Sequence, residues 1–130
     1  MTTVDLDRIR DVRHQLLHLH KELLDLERVE RERTHGRIAP ADFLRLLIED
    51  SSLAWLRPMT ELIVRIDEWL DEDERDPDVA TTWLREVSHL LTPDPAQHDF
   101  HHRYAQLLQA SPELVIAQGA VMRALTGRRS

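Results

Sequence analysis

Apolar side chains recur along this chain at intervals of three and four residues, and no stretch shows the two-residue alternation of a half-buried strand. The spacing predicts amphipathic α-helices. The longest covers about residues 3–36, because nothing interrupts a helix before Gly36, and at 1.5 Å per residue it is about 50 Å long. Its apolar stripe consists of Ile9, Val12, Leu16, Leu19, Leu23 and Leu26.

Shorter helices are predicted at about residues 40–50, 59–73, 77–91, 96–109 and 112–126. Their starts carry the usual signatures, with Pro40 in a first turn, Asp76 before a proline and Ser111 before another. The segment TPDPAQ at residues 92–97 separates two of them. The sequence therefore predicts an all-α fold, a helical bundle of five or six helices organised on one long N-terminal helix. Its 130 residues are the size of a single domain.

The helix lengths raise the question of what covers the first helix. Either the shorter helices pack along it in two tiers, or part of it pairs with a second copy of the chain. Two leucines, Leu17 and Leu24, widen its apolar arc, and in the last helix Ile116 lies opposite Leu114 and Val121. Because exposed apolar surface is unfavourable by about 25 cal/mol per Å², we expect a homodimer that uses the first helix, the last helix or both.

The inward face of the first helix turns polar in its second half. On a straight helix, successive residues are about 100° apart. With Leu16 at the centre of the inward face, the residues of the second half that face inward are His20, Glu27, Glu30, Arg31 and Thr34. A left-handed supercoil would instead keep Leu26 inward and turn His20 and Glu27 to the flank. Glu30 faces inward in both geometries.

Two interpretations of this polar end compete with simple solvent exposure. In the first, the carboxylates are buried and neutralised by pairing. The predicted polar cluster then contains Glu27, Glu30, Arg31 and Gln118, with Arg57 or Arg65 as further cations. In the second, His20, Glu27 and Glu30 bind iron, manganese or zinc, because helical bundles build metal sites from carboxylates and imidazoles.

Two Glu-x-x-His pairs, Glu32 with His35 and Glu86 with His89, resemble those of the ferritin-like di-iron carboxylate proteins. The resemblance implies a di-metal site inside a bundle. Helical geometry predicts otherwise, because Glu32 lies about 160° from the core face and His89 is turned about 120° away from its own apolar face. The remaining paired histidines also face away from the apolar stripes, as surface residues do; they are His14, His18, His98 and His102.

Composition narrows the classes of function. The chain has no cysteine, which excludes disulfides, thiolate metal ligands and a thiol nucleophile. A net charge of -7 argues against nucleic acid as the partner, and the arginines late in the first helix alternate with glutamates. No apolar run approaches the ~20 residues of a membrane span, and we expect a cytoplasmic protein. Lys21 is the only lysine beside 16 arginines, which fits a GC-rich bacterial genome.

No phosphate-binding glycine loop or nucleophile elbow occurs, and we predict no catalytic residue and no cofactor. The three tryptophans, Trp55, Trp69 and Trp83, fall in apolar patterns and are expected to be structural. We expect a protein-interaction or oligomerisation module that forms a homodimer. The alternative is a metal- or ligand-binding protein with its site on the second half of the first helix, and a weaker one is regulatory nucleic-acid binding through the arginines there.

Overall fold

The computed structural model describes residues 3–92 and 98–127, in which the chain is helical and contains no β-strand. The predicted all-α bundle on one long N-terminal helix is confirmed. The predicted start of the fifth helix and the predicted breaker after Thr92 fall on residues 93–97, outside the described residues. The α-helices are α1 (Thr3–His35), α2 (Pro40–Glu49), α3 (Arg57–Asp71), α4 (Pro77–Leu91), α5 (His98–Ala110) and α6 (Pro112–Leu125), and a 3₁₀ helix (Ser51–Leu56) joins α2 to α3.

Helix ends follow the local signals of the sequence. The Asp76 carboxylate accepts a hydrogen bond from the Asp78 backbone N–H at 3.0 Å, and the Ser111 hydroxyl accepts one from the Leu114 N–H at 3.2 Å. Both satisfy N–H groups that lack a partner within the first turn of a helix. At the end of α1, Gly36 adopts φ 78°, a left-handed conformation that glycine reaches without strain.

The third helix begins at Arg57, two residues earlier than expected from the proline at position 58. Pro58 lies in the first turn of α3, where no N–H is needed for an intrahelical hydrogen bond. The chain therefore passes directly from the 3₁₀ helix into α3. Asp50 is the N-cap of the 3₁₀ helix, because its carboxylate accepts a hydrogen bond from the Ser52 N–H at 2.9 Å.

The other helices of the same chain cover the apolar stripe of α1. It packs most extensively against α6 and also against α3 and α4, and its stripe from Ile9 to Leu23 is at most 1% exposed. Leu17 and Leu24 are half-buried against this core. These two leucines therefore pack partly within the chain, because neighbours approach α1 from more than one side. None of the helices in the described residues is both long and apolar enough to cross a membrane.

Two of the tryptophans are buried in this core. Trp55 is 9% exposed and Trp69 is 4% exposed, whereas Trp83 is half-buried. The Trp55 ring lies 5.6 Å from the Phe100 ring, so it joins the 3₁₀ helix to α5. Trp69 contributes the largest side chain of the α3 core face, and the Arg75 guanidinium lies 5.9 Å from its ring centre.

We predict that Trp69→Ala lowers the free energy of unfolding by about 3 to 5 kcal/mol, because it removes a buried ring and leaves a cavity. Val64→Ala is the matched control, since Val64 lies on the same helix but is 48% exposed. It should change stability by less than about 0.5 kcal/mol. Urea unfolding of both variants measures the difference, and a loss below about 1 kcal/mol for Trp69→Ala would contradict the packing of α3.

Candidate functional site

The polar end of α1 contains a buried carboxylate. Glu27 is 2% exposed, while Leu26 beside it is only half-buried. The helix therefore keeps the phase of a straight α-helix, and the supercoiled alternative is excluded. Glu30 differs from the prediction, because its side chain is 57% exposed and pairs with Arg33 at 3.2 Å. The inward face narrows here to Glu27 and Arg31, which leaves Glu30 on the outer flank.

Three donors from three segments surround the Glu27 carboxylate. Arg103 on α5 donates to Oε1 at 2.6 Å, and the Trp55 indole N–H on the 3₁₀ helix donates to Oε2 at 3.2 Å. Arg31, one turn further along α1, lies 3.5 Å from Oε2. Two guanidinium groups and an indole therefore replace the water that the carboxylate loses on burial.

Arg31 extends this cluster to the start of the 3₁₀ helix. Its guanidinium donates to the Ser52 hydroxyl and lies 3.8 Å from the Asp50 carboxylate. Ser52 donates to Asp50 from its hydroxyl at 2.7 Å and from its backbone N–H. These hydrogen bonds, with a smaller contribution from Arg31, lower the pKa of Asp50 below its ordinary value. We call Glu27, Arg31, Asp50, Ser52, Trp55 and Arg103 the Glu27 cluster.

The sequence correctly predicted that Glu27 and Arg31 lie together, but neither Arg57 nor Arg65 is the second cation beside Glu27. Arg57 is exposed, and Arg65 pairs with Glu86 at 3.6 Å. Arg103 takes that place from 76 residues away in the sequence. No local signal marks Arg103, because its role depends on where α5 packs.

Gln118 lies outside the Glu27 cluster. The Tyr104 hydroxyl donates to its side-chain oxygen at 2.6 Å, a contact that joins α5 to α6. Burial raises the pKa of the Tyr104 phenol well above its ordinary value, so the group stays a donor.

The residues of the predicted metal site are not brought together. The His20 Nε2 lies 2.9 Å from the Thr60 hydroxyl on α3, and Glu30 pairs with Arg33. Thr60 in turn donates to the Leu56 carbonyl, which makes the His20 ring the donor in their contact. Within residues 3–92 and 98–127, no group of three or more His, Asp or Glu side chains is arranged to hold a metal ion.

The two Glu-x-x-His pairs have other contacts. Glu32 accepts a hydrogen bond from the Ile38 N–H at 2.9 Å, which satisfies the backbone after the end of α1, while His35 is exposed. His89 is exposed as well. Of the histidines predicted on the surface, His14, His18 and His102 are exposed, and the side chain of His98 lies outside the described residues. His101 is buried, with its Nε2 2.8 Å from the Leu90 carbonyl.

A cleft of about 640 Å³ lies beside the Glu27 cluster. Trp55, Phe100 and Pro58 give it apolar walls, and Arg103 and Asp99 give it opposite charges. The Arg103 guanidinium already donates to Glu27 and, at 3.3 Å, to Gln106. The Arg103 guanidinium that borders the cleft is therefore already paired within the fold.

In the described part of the chain, two helices each expose more than one large apolar side chain, while α1 and α3 expose one each, Val29 and Val64. On α6, Val115 is 49% exposed, Ile116 69% and Met122 39%, and Gly119 lies between them. We call these four residues the α6 outer face. A smaller apolar pair on α2, Leu44 and Ile48, is 62% and 72% exposed. Neighbouring exposed apolar side chains on one helix are typical of contact surfaces.

The fold and these surfaces define a small all-α bundle with a neutralised polar cluster and an uncovered apolar helix face. No protein family, curated protein or solved structure matches the chain.

We predict that Glu27→Ala lowers the free energy of unfolding by about 3 to 5 kcal/mol, because it leaves Arg103 and the Trp55 N–H without their acceptor. Glu30→Ala is the matched control on the same helix, and its effect should stay within about 0.5 kcal/mol. Urea unfolding of the two variants measures the difference. Equal losses would show that Glu27 does not hold the cluster together.

Burial lowers the pKa of the His20 imidazole below its ordinary 6.5. Between the lowered pKa and 6.5 the unfolded chain binds more protons than the folded chain. The contribution of His20 to stability is therefore complete above pH 6.5 and is lost as the pH falls through this window. We predict that His20→Gln reduces the loss of thermal stability between neutral and mildly acidic pH. His14→Gln, at an exposed site on the same helix, should keep the wild-type pH dependence.

Proposed function

We propose that the protein acts through contacts with other proteins and forms a homodimer through the α6 outer face. One observation carries the proposal: α6 is apolar on two opposite sides. Its inner side, with Leu114, Ala117, Val121 and Ala124 at most 3% exposed, belongs to the core. Its opposite side carries Ile116, which is 69% exposed. A helix that only closed its own core would be polar on that side.

The choice of α6 follows from the packing of α1. Other helices of the same chain cover the apolar stripe of α1, and among its described residues Val29 is the one large apolar side chain that is exposed. The exposed pair on α2, Leu44 and Ile48, is shorter than the α6 outer face and lies on a ten-residue helix. The α6 outer face extends from Val115 to Met122, about two helical turns.

Charge and composition are compatible with a protein partner. The net charge of -7 disfavours a phosphate backbone, and in the described residues the arginines late in α1 are paired with neighbouring acids, as in Arg33 with Glu30. A cytoplasmic location is part of the same proposal, since a chain without cysteine does not depend on an oxidising compartment for its stability.

We predict that the wild-type protein sediments as a dimer at micromolar concentration, and that Ile116→Arg weakens the dimer at least about tenfold, because it places a charge in an apolar contact. The side chain is largely exposed, so the substitution should leave thermal stability at low concentration unchanged. Ile48→Arg is the matched control, because Ile48 is similarly exposed on α2, and it should leave the dimer intact. A wild-type monomer throughout the micromolar range would refute the proposal.

A further inference from the structure

We infer that the partner on the α6 outer face is a second copy of α6 running antiparallel, with the two-fold axis beside Gly119. This inference rests on the proposed function and adds the geometry of the interface. It comes from a glycine that the folded chain does not need, from the register of the apolar residues and from the charges at the ends of α6.

Gly119 lies in the middle of α6, where neither the backbone conformation nor a close contact within the chain requires a glycine. Gly36 and Gly127 are the glycines with positive φ in the described residues, so Gly119 has an ordinary helical backbone. A Cβ added there would meet only the flexible end of Arg123, at 3.4 Å. Alanine would fit and would stabilise the helix, because glycine loses more backbone freedom on folding. A glycine on the outward side of a helix instead permits another backbone to approach closely once the flexible end of Arg123 moves aside.

Gly119 is also the centre of the α6 outer face. Val115 lies four residues before it, and Met122 lies three residues after it. A two-fold axis at Gly119 therefore places Val115 of each copy beside Met122 of the other. The same operation brings Ile116 against the aliphatic part of Arg123 of the second copy. The apolar surface is thus complementary to itself.

The charged residues favour the antiparallel over the parallel arrangement. Glu113 lies in the first turn of α6, and Arg123 lies in the last turn. Antiparallel helices place Glu113 of one copy near Arg123 of the other and oppose the two helix dipoles. Parallel helices would place like charges together at both ends.

The absence of cysteine makes a cross-linking test specific. Under mild oxidation, a mixture of full-length Val115→Cys and Met122→Cys chains should form a mixed disulfide dimer, and neither variant should cross-link efficiently alone. Ile48→Cys is the control away from the interface and should stay uncross-linked. In addition, Gly119→Leu should weaken the dimer at least about tenfold while the monomer stays folded by circular dichroism.

The result that overturns this geometry differs from the result that overturns the proposed function. If Ile116→Arg dissociates the dimer but Val115→Cys and Met122→Cys each cross-link to themselves, α6 pairs in parallel and the antiparallel geometry is wrong. A dimer unaffected by Gly119→Leu would also refute the close approach at Gly119. If the wild type is a monomer, or if Ile116→Arg leaves its dimer intact, the proposed function itself fails.

Discussion

A carboxylate remains charged inside a protein only where donors and cations replace its water, and Glu27 is where this chain meets that requirement. The side chain is 2% exposed, and its acceptors are used by Arg103, Arg31 and Trp55. These donors come from α5, α1 and the 3₁₀ helix. The position of one carboxylate therefore fixes how three segments meet at the far end of α1, where the apolar stripe has ended.

The rest of the bundle depends on α1 as a common surface. Its first half supplies apolar side chains to α3, α4 and α6, and its second half supplies charge to the 3₁₀ helix and α5. The change from apolar to polar occurs on one face, because α1 keeps the phase of a straight helix from Leu23 to Glu27. The same face of α1 thus contacts the other helices through apolar packing in its first half and through ion pairs in its second half.

The division of roles between α1 and α6 bears on function. The apolar residues of α1 are used inside the chain, whereas α6 is apolar on its inner side and on its outer face. Its inner side adds to the core, whereas the outer face leaves Val115, Ile116 and Met122 between 39% and 69% exposed. Residues that the fold does not need are the ones to examine for contacts with a partner.

Local features of the sequence determined the helices, their caps at Asp76 and Ser111, and the inward phase of Glu27, because periodicity and capping act over one or two turns. Only the tertiary structure decided which residues meet across the bundle. Arg103, not Arg57 or Arg65, became the partner of Glu27. Leu17 and Leu24 were partly covered, and Glu30 was left outside. The reason is physical: helical periodicity gives the direction of a side chain, whereas its burial and its partners depend on which helices pack beside it.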